Sequence, residues 1–174
     1  LVRRSIEQRE LLVVEYRILH PDGSIRWIMA RGRPYYNPER LMGLSSDITQ
    51  RKAMQLQLSE SRTLLSSLID STSDMIWSVD AERFGLLTFN RSLYEYFLNQ
   101  RGIRIEAGMR PEDLFPTEEF VQKWRMFYHR ALEEGSFTAE YLVYAGTRTL
   151  RLSLNRLERD GIVFGVSVFG KDIT

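Results

Sequence analysis

The chain repeats itself at a spacing of 125 residues, and this constrains its fold more than any local motif does. Glu15-Tyr16 recurs as Glu140-Tyr141, Arg26 as Arg151, Arg31 as Arg156, and Asp47-Ile48-Thr49 as Asp172-Ile173-Thr174, seven identities without a gap. Apolar character follows the same offset, with Ile18 on Val143, Ile25 on Leu150, Trp27 on Leu152 and Met29 on Leu154. A helix-like stretch precedes each copy, at 1–10 and at 126–135. A length of 174 residues would ordinarily suggest one domain. The repeat predicts instead one complete unit preceded by the last 49 residues of another. With Leu1 in first place and no initiator Met, the chain is expected to be a piece of a longer protein.

Each copy reads as strand, turn, strand, turn, strand. In the first, 11–19 is β-branched and aromatic. His20-Pro21-Asp22-Gly23 supplies turn chemistry, 25–31 is the partner strand, 37–40 (Asn-Pro-Glu-Arg) is a second turn, and 41–47 is a third strand. In the second copy the strands fall at 137–144, 149–157 and 162–169, with Asp160-Gly161 at the last turn. Leu150, Leu152 and Leu154 alternate with Arg151, Ser153 and Asn155, which gives that strand one apolar face. The segment 162–169 is nearly all apolar, as expected of a central strand covered on both sides.

The remainder of the second unit is mixed. Two more strands are predicted at 75–80 and 86–90 around a turn at 81–85, then a short helix at 91–100 and proline-punctuated turns at 110–116. Thr117 is a candidate N-cap for a helix that Gly135 ends, with Glu118 and Glu119 in its first turn. Phe120, Trp124, Phe127, Tyr128 and Ala131 form its apolar stripe. The order β-β-α-α-α-β-β-β predicts an α+β fold, a five-stranded antiparallel sheet with helices on one face.

Between the units, 50–71 contains neither Gly nor Pro. It is predicted to be a helix about 30 Å long. Met54, Leu58, Leu65 and Leu68 lie on a roughly heptad stripe, which suits a parallel homodimer along that seam; packing of 64–69 on its own domain is the alternative. The domain reading is therefore 1–49, 50–71 and 72–174.

Glu15-Tyr16-Arg17, His20-Pro21-Asp22-Gly23-Ser24-Ile25-Arg26-Trp27 and Asp47-Ile48-Thr49-Gln50-Arg51-Lys52 form an ordered set in the first unit. Ser73-Asp74-Met75-Ile76-Trp77-Ser78-Val79-Asp80, Thr88-Phe89-Asn90, Glu112-Asp113-Leu114-Phe115 and the run from Gly165 to Thr174 do so in the second. Taken together, the chain resembles a tandem PAS (sensory-box) region of a bacterial signalling protein. The resemblance implies the PAS fold and a sensory role without catalysis. It implies a covalently attached output domain of histidine kinase or diguanylate cyclase type, and a cytoplasmic location. It also implies that Asp47-Ile48-Thr49 and Asp172-Ile173-Thr174 carry signals from sheet to helix. Asp47 can accept backbone or arginine hydrogen bonds there, and Thr49 can cap the helix that follows.

The chemistry available narrows the rest. Lys and Arg number 24 against 23 Asp and Glu, so neither nucleic acid nor an anionic membrane is an expected partner. Arg3, Arg4 and Arg9 alternate with Glu7 and Glu10 and read as a salt-bridged helix face. No apolar run approaches the roughly 20 residues that cross a bilayer. With no Cys, thiolate metal sites, cysteine nucleophiles and the Asn-Cys-Arg photochemistry of flavin-binding PAS sensors are excluded. No phosphate-binding glycine loop occurs, and no catalytic or metal-binding set is identified. Glu118-Glu119 and Glu133-Glu134 read as solvated surface, and His20 as a solvated turn residue. His129 stands about 140° from Trp124 on a helical wheel and faces away from the apolar stripe, which disfavours haem, and flavin has no specific signal. No cofactor is therefore expected. A small-molecule pocket, if present, would lie between sheet and long helix, lined by Trp77, Trp124, Phe127 and Tyr141, with Asn90, Ser153 and Asn155 as its polar groups. A cofactor-bound sensor and a ligand-free dimerisation adaptor are the alternatives.

Overall fold

In the computed structural model, residues 10–34, 41–143 and 146–174 are described, and they divide between two compact units, Leu1–Leu64 and Leu65–Thr174. The helix-like reading of 1–9, with Arg3, Arg4, Glu7 and Arg9, the turn at 37–40, and Tyr144 lie outside the described residues.

The first unit is an antiparallel sheet in the order β1 (Leu12–Leu19), β2 (Ile25–Pro34) and β3 (Leu41–Asp47). The β1–β2 turn closes as its residues predict. The Asp22 carboxylate accepts from Ser24 N at 2.8 Å and Ser24 Oγ at 2.5 Å, and Gly23 takes φ +82°, where a side chain would be strained. Directly opposed residues share a face, so Leu12, Val14 and Tyr16 stand with Gly32, Ala30 and Ile28. Glu15, Arg17 and Trp27 lie on the other face. Helix α1 (Thr49–Asp70) follows β3.

The second unit comprises β4 (Met75–Asp80), β5 (Leu86–Phe89), α2 (Arg91–Arg101), α3 (Pro111–Leu114), α4 (Glu118–Glu134), β6 (Ser136–Val143), β7 (Arg148–Arg159) and β8 (Ile162–Asp172). Its five strands run antiparallel in the order β5-β4-β8-β7-β6, with the helices on one face, as the sequence predicted. The core fills the space between them. Leu150, Leu152, Leu154, Val166 and Val168 rise from the sheet to meet Leu93 and Phe97 of α2 and Trp124, Tyr128 and Ala131 of α4. Pro111 opens the one-turn α3, and Gly135 (φ +88°) ends α4 by returning its N–H to Ala131 O.

Four expectations are corrected. β8 is central but covered on one side only: Val166 and Val168 are buried while Phe164 and Phe169 are exposed, because in a two-layer fold the helices pack on a single face. On α4, Val121 is buried and Phe120 is half-exposed, so the stripe runs 121-124-127-128-131. Thr117 occupies the N-cap position of α4 but its hydroxyl makes no capping hydrogen bond.

The fourth correction concerns the repeat itself. Tyr16 pairs with Ile28 and Ile28 with Asp47, whereas Tyr141 pairs with Leu150 and Leu150 with Asp172. The outer strands thus keep the 125-residue offset, but the middle strand follows an offset of 122. The first hairpin connection is three residues longer in the first copy and the second is three residues shorter. Because side chains alternate along a strand, an odd shift exchanges the faces. Arg26 therefore corresponds to Arg148 and not to Arg151.

Candidate functional site

Two features carry the functional interest: the aromatic interior of the second unit and the junction at the end of each three-stranded segment.

The junctions share one hydrogen-bond pattern. In the first unit Ile48 N donates to Trp27 O (2.8 Å), Trp27 N donates to Thr49 Oγ1 (2.9 Å), and Thr49 N and Oγ1 donate to Asp47 Oδ1 (2.9 and 2.6 Å). In the second, Ile173 N donates to Thr149 O (2.9 Å), Thr149 N to Thr174 Oγ1 (3.0 Å), and Thr174 N to Asp172 Oδ1 (2.9 Å). Arg26 lies 3.8 Å from Asp47, and Arg148 lies 3.2 Å from Asp172. The Thr49 hydroxyl, expected to cap the helix, instead ties the start of α1 to strand β2. The motif holds both aspartates ionised. For Asp47 the Thr49 hydroxyl and N–H are the main cause, and for Asp172 the Thr174 N–H and hydroxyl; each carboxyl falls below its ordinary value.

Beyond the first junction a second tether forms. Glu15 accepts from Arg51 (2.7 Å) and pairs with Lys52 (2.6 Å), whose ammonium stands 5.0 Å from the centre of the Trp27 ring. The first turn of α1 is thus bound to β1, β2 and β3. The opposite charges of Glu15, Arg51 and Lys52 are visible in the sequence, but the Glu15–Arg51 contact spans 36 residues, beyond any local pattern.

α1 buries none of its residues. Met54, Leu58, Leu65 and Leu68 are 62%, 54%, 57% and 59% exposed, and Leu64 and Ile69 are exposed too, so the stripe does not pack on its own domain.

In the second unit Trp77, Trp124, Phe127 and Tyr141 are all buried, as predicted. Trp124 is the centre of the cluster, 5.5 Å from Trp77, 5.0 Å from Tyr141, and stacked on Phe115 at 5.9 Å with 17° between the planes. Beside it lies a cavity of about 30 Å³, walled by Trp77, Tyr96, Phe97, Phe115, Trp124, Tyr128, Tyr141 and aliphatic side chains. Trp77 Nε1 donates to Tyr128 Oη (3.1 Å); the buried indole N–H of Trp124 interacts with the Tyr141 phenol. Burial raises the phenols of Tyr128 and Tyr141 above their ordinary values and keeps both neutral. Tyr96, Leu114 and Phe115 also wall an outer cleft of about 660 Å³ that holds Arg101, Glu112 and Asp113.

The polar groups expected in this cavity are elsewhere. Ser153 and Asn155 alternate with the buried Leu152 and Leu154 and so face away from it, and Phe127 packs in the core without lining it. Asn90 is buried but caps α2. Its Oδ1 accepts from Leu93 N and Ile76 N, and its Nδ2 donates to Asp74 O and Ile69 O. It joins the end of α1, strand β4 and helix α2. Asp70 adds a bond from Arg91 N at 2.8 Å. His129 is exposed on α4, edge-on to Phe84, away from the cavity. Among the described residues no cluster of three His, Asp or Glu side chains could hold a metal, and no helix is long and apolar enough to cross a membrane.

A family model described as PAS fold matches residues 2–43. Among solved structures, the chain is similar to the PAS domain of Bordetella pertussis BvgS, at 20% identity over 66% of this chain and 88% of that one, with a TM-score of 0.51. It is also similar to a sensory box sensor histidine kinase from Vibrio cholerae, at 19% identity over 70% of this chain and 98% of that one, with a TM-score of 0.46. No curated protein matches by sequence. The five-stranded unit has the PAS fold.

Proposed function

We propose that the chain is a sensory and regulatory module without catalytic activity. The core of its second unit responds to a small molecule or partner, and the response passes through the Asp-Ile-Thr junctions and α1 to an output domain of histidine kinase or diguanylate cyclase type. It works as a homodimer along α1, in the cytoplasm. The first 49 residues are the closing strands of a preceding PAS unit.

The observation that carries this reading is the repeated junction. In both copies one threonine hydroxyl accepts from the middle strand while the neighbouring aspartate holds that threonine's N–H. A shift of that strand then moves the start of whatever follows, which is how a sheet distortion becomes a helix displacement. The small cavity favours a second reading, a ligand-free dimerisation adaptor with a filled core.

Hydrogen exchange tests the relay. Thr49→Val keeps the shape of the side chain and removes the hydroxyl. It should raise exchange at Trp27 and in residues 50–53 together, leaving the second core protected. Exchange confined to Trp27 would count against coupling between sheet and helix.

A further inference from the structure

We infer that one face of the first sheet is a docking groove for an acidic amphipathic helix, with Arg31 and Arg33 receiving two of its carboxylates and Met29, Met42 and Leu44 its apolar side chains. This goes beyond the sensory reading above and does not depend on it.

The groove, of about 460 Å³, crosses β2 and β3 and is lined chiefly by Leu11, Met29, Arg31, Arg33, Met42 and Leu44. Leu11, Met42 and Leu44 are 53%, 62% and 82% exposed. Apolar side chains grouped this openly mark a contact surface. Strand pairing sets the groove on the face opposite to Tyr16 and Ile28. In the second unit the matching pair, Tyr141 and Leu150, is buried under the helices. The groove therefore lies on the face that a single helix layer leaves open. At the corresponding positions the second unit has Arg151, Ser153 and Asn155 for Met29, Arg31 and Arg33, and Ser167 for Met42. It lacks both the pair of cations and most of the apolar floor.

Charge identifies the occupant. Arg31 and Arg33 are exposed, and among the described residues neither has an ionic partner. The groove holds no carboxylate. Glu15, the acidic side chain on this face of the strands, already pairs with Arg51 and Lys52. Two positions apart on one strand, the arginines are spaced by about 7 Å. Carboxylates at positions i and i+4 of a helix are about 6 Å apart along its axis, so one helical turn offers an acid to each arginine. Methionines at the floor adapt to whichever apolar side chains the helix brings. Nucleic acid suits the face less well. Bases stack on open aromatic rings, and Trp27 is half-buried with Arg17 and Lys52 standing 5.6 and 5.0 Å from its ring centre. A lipid surface is held by clusters of about four to eight cations, more than this groove offers.

A fluorescein-labelled helical peptide of about four turns, with glutamates four residues apart beside a row of leucines, tests this by anisotropy against the 174-residue chain. It should bind saturably, and more weakly as salt is raised. The same peptide with glutamines should bind about tenfold more weakly, the size of two exposed ion pairs. Arg31→Gln with Arg33→Gln should cause the same loss in the protein, and near-ultraviolet circular dichroism should show the fold unchanged. Leu44→Gln should weaken binding too, whereas Arg151→Gln, on the matching face of the second unit, should leave it unaltered. Among the six methionines, Met29 and Met42 should show the methyl shifts on binding. The proposal is overturned if the peptide does not bind, if its glutamine form or a reordered peptide of the same composition binds equally well, or if the arginine double variant binds like the wild type. Tighter binding of an oligothymidine or of phosphatidylserine vesicles would overturn it as well. Leu58→Asp with Leu65→Asp separates the groove from the proposed α1 dimer: binding should persist in that variant, and its loss would move the site to the α1 stripe and sink the groove.

Discussion

Asn90 uses every hydrogen-bonding group of its amide, two acceptances and two donations, while almost wholly buried. Asn90→Ala should therefore cost about 2–4 kcal/mol in chemical denaturation, since it removes a helix cap and strands buried carbonyls. Asn90→Asp at pH 7 should cost at least as much, because a carboxylate would face the carbonyls of Ile69 and Asp74. The acidic side chains predict a pH response. Asp22 is pulled to about 2, chiefly by the Ser24 hydroxyl and N–H. Asp47 and Asp172 are lowered by their threonines. At Asp80 burial opposes ionisation, but the backbone N–H groups of residues 82–85 outweigh it. Each pKa lies below its unfolded value of about 4, so the stabilisation is complete above that pH and fades as pH falls through the folded values. The thermal midpoint should drop between about pH 4 and about pH 2, and less steeply in Asp80→Asn. Single residues were the least legible scale in the sequence. Size and apolarity mark Trp77, Trp124 and Tyr141 in the sequence, and all three are buried. Asn90, Ser153 and Asn155 were misplaced because a polar side chain near a core is as readily a cap, or a residue on the opposite face, as a pocket group.

The strands and helices were mostly legible, since their signals are periodic and local. Turn residues placed the hairpin at Asp22-Gly23, and Leu150, Leu152 and Leu154 identified a buried face. What the periodicity could not supply was the register between distant strands, which depends on pairing across the sheet. Gly165 shows how tight that pairing is. A Cβ built there would lie 2.2 Å from Val79 O on the adjacent β4. Gly165→Ala should force β4 and β8 apart and lower stability by about 3 kcal/mol, measured as a fall in denaturation midpoint with little change in slope. The same substitution at Gly161 tests a different cause: nothing crowds its Cβ, but φ is +76°, so the cost there is backbone strain alone.

At the scale of the whole molecule, α1 is the element with most left open. Its apolar stripe is exposed throughout, and a helix of 22 residues with a mostly polar surface gains little stability by itself. Sedimentation at high micromolar concentration should find a dimer, and Leu58→Asp with Leu65→Asp should return it to a monomer with unchanged near-ultraviolet circular dichroism. A monomeric wild type would remove the dimer from the proposed function.

The three-residue difference between the two hairpins bears on recombination between the copies. A hybrid carrying 147–156 in place of 25–34 sets Leu150, Leu152 and Leu154 on the face of Tyr16 and Val14, with Arg148 at position 26, whose arginine now lies 3.8 Å from Asp47. A crossover guided by the gapless identities inserts 150–159 instead. It retains an arginine at position 26 yet places Ser153 and Asn155 where Ile28 and Ala30 stood. The segment that looks more alike on paper is the one that turns the strand inside out, so crossover points between these copies are safe only when set by strand pairing.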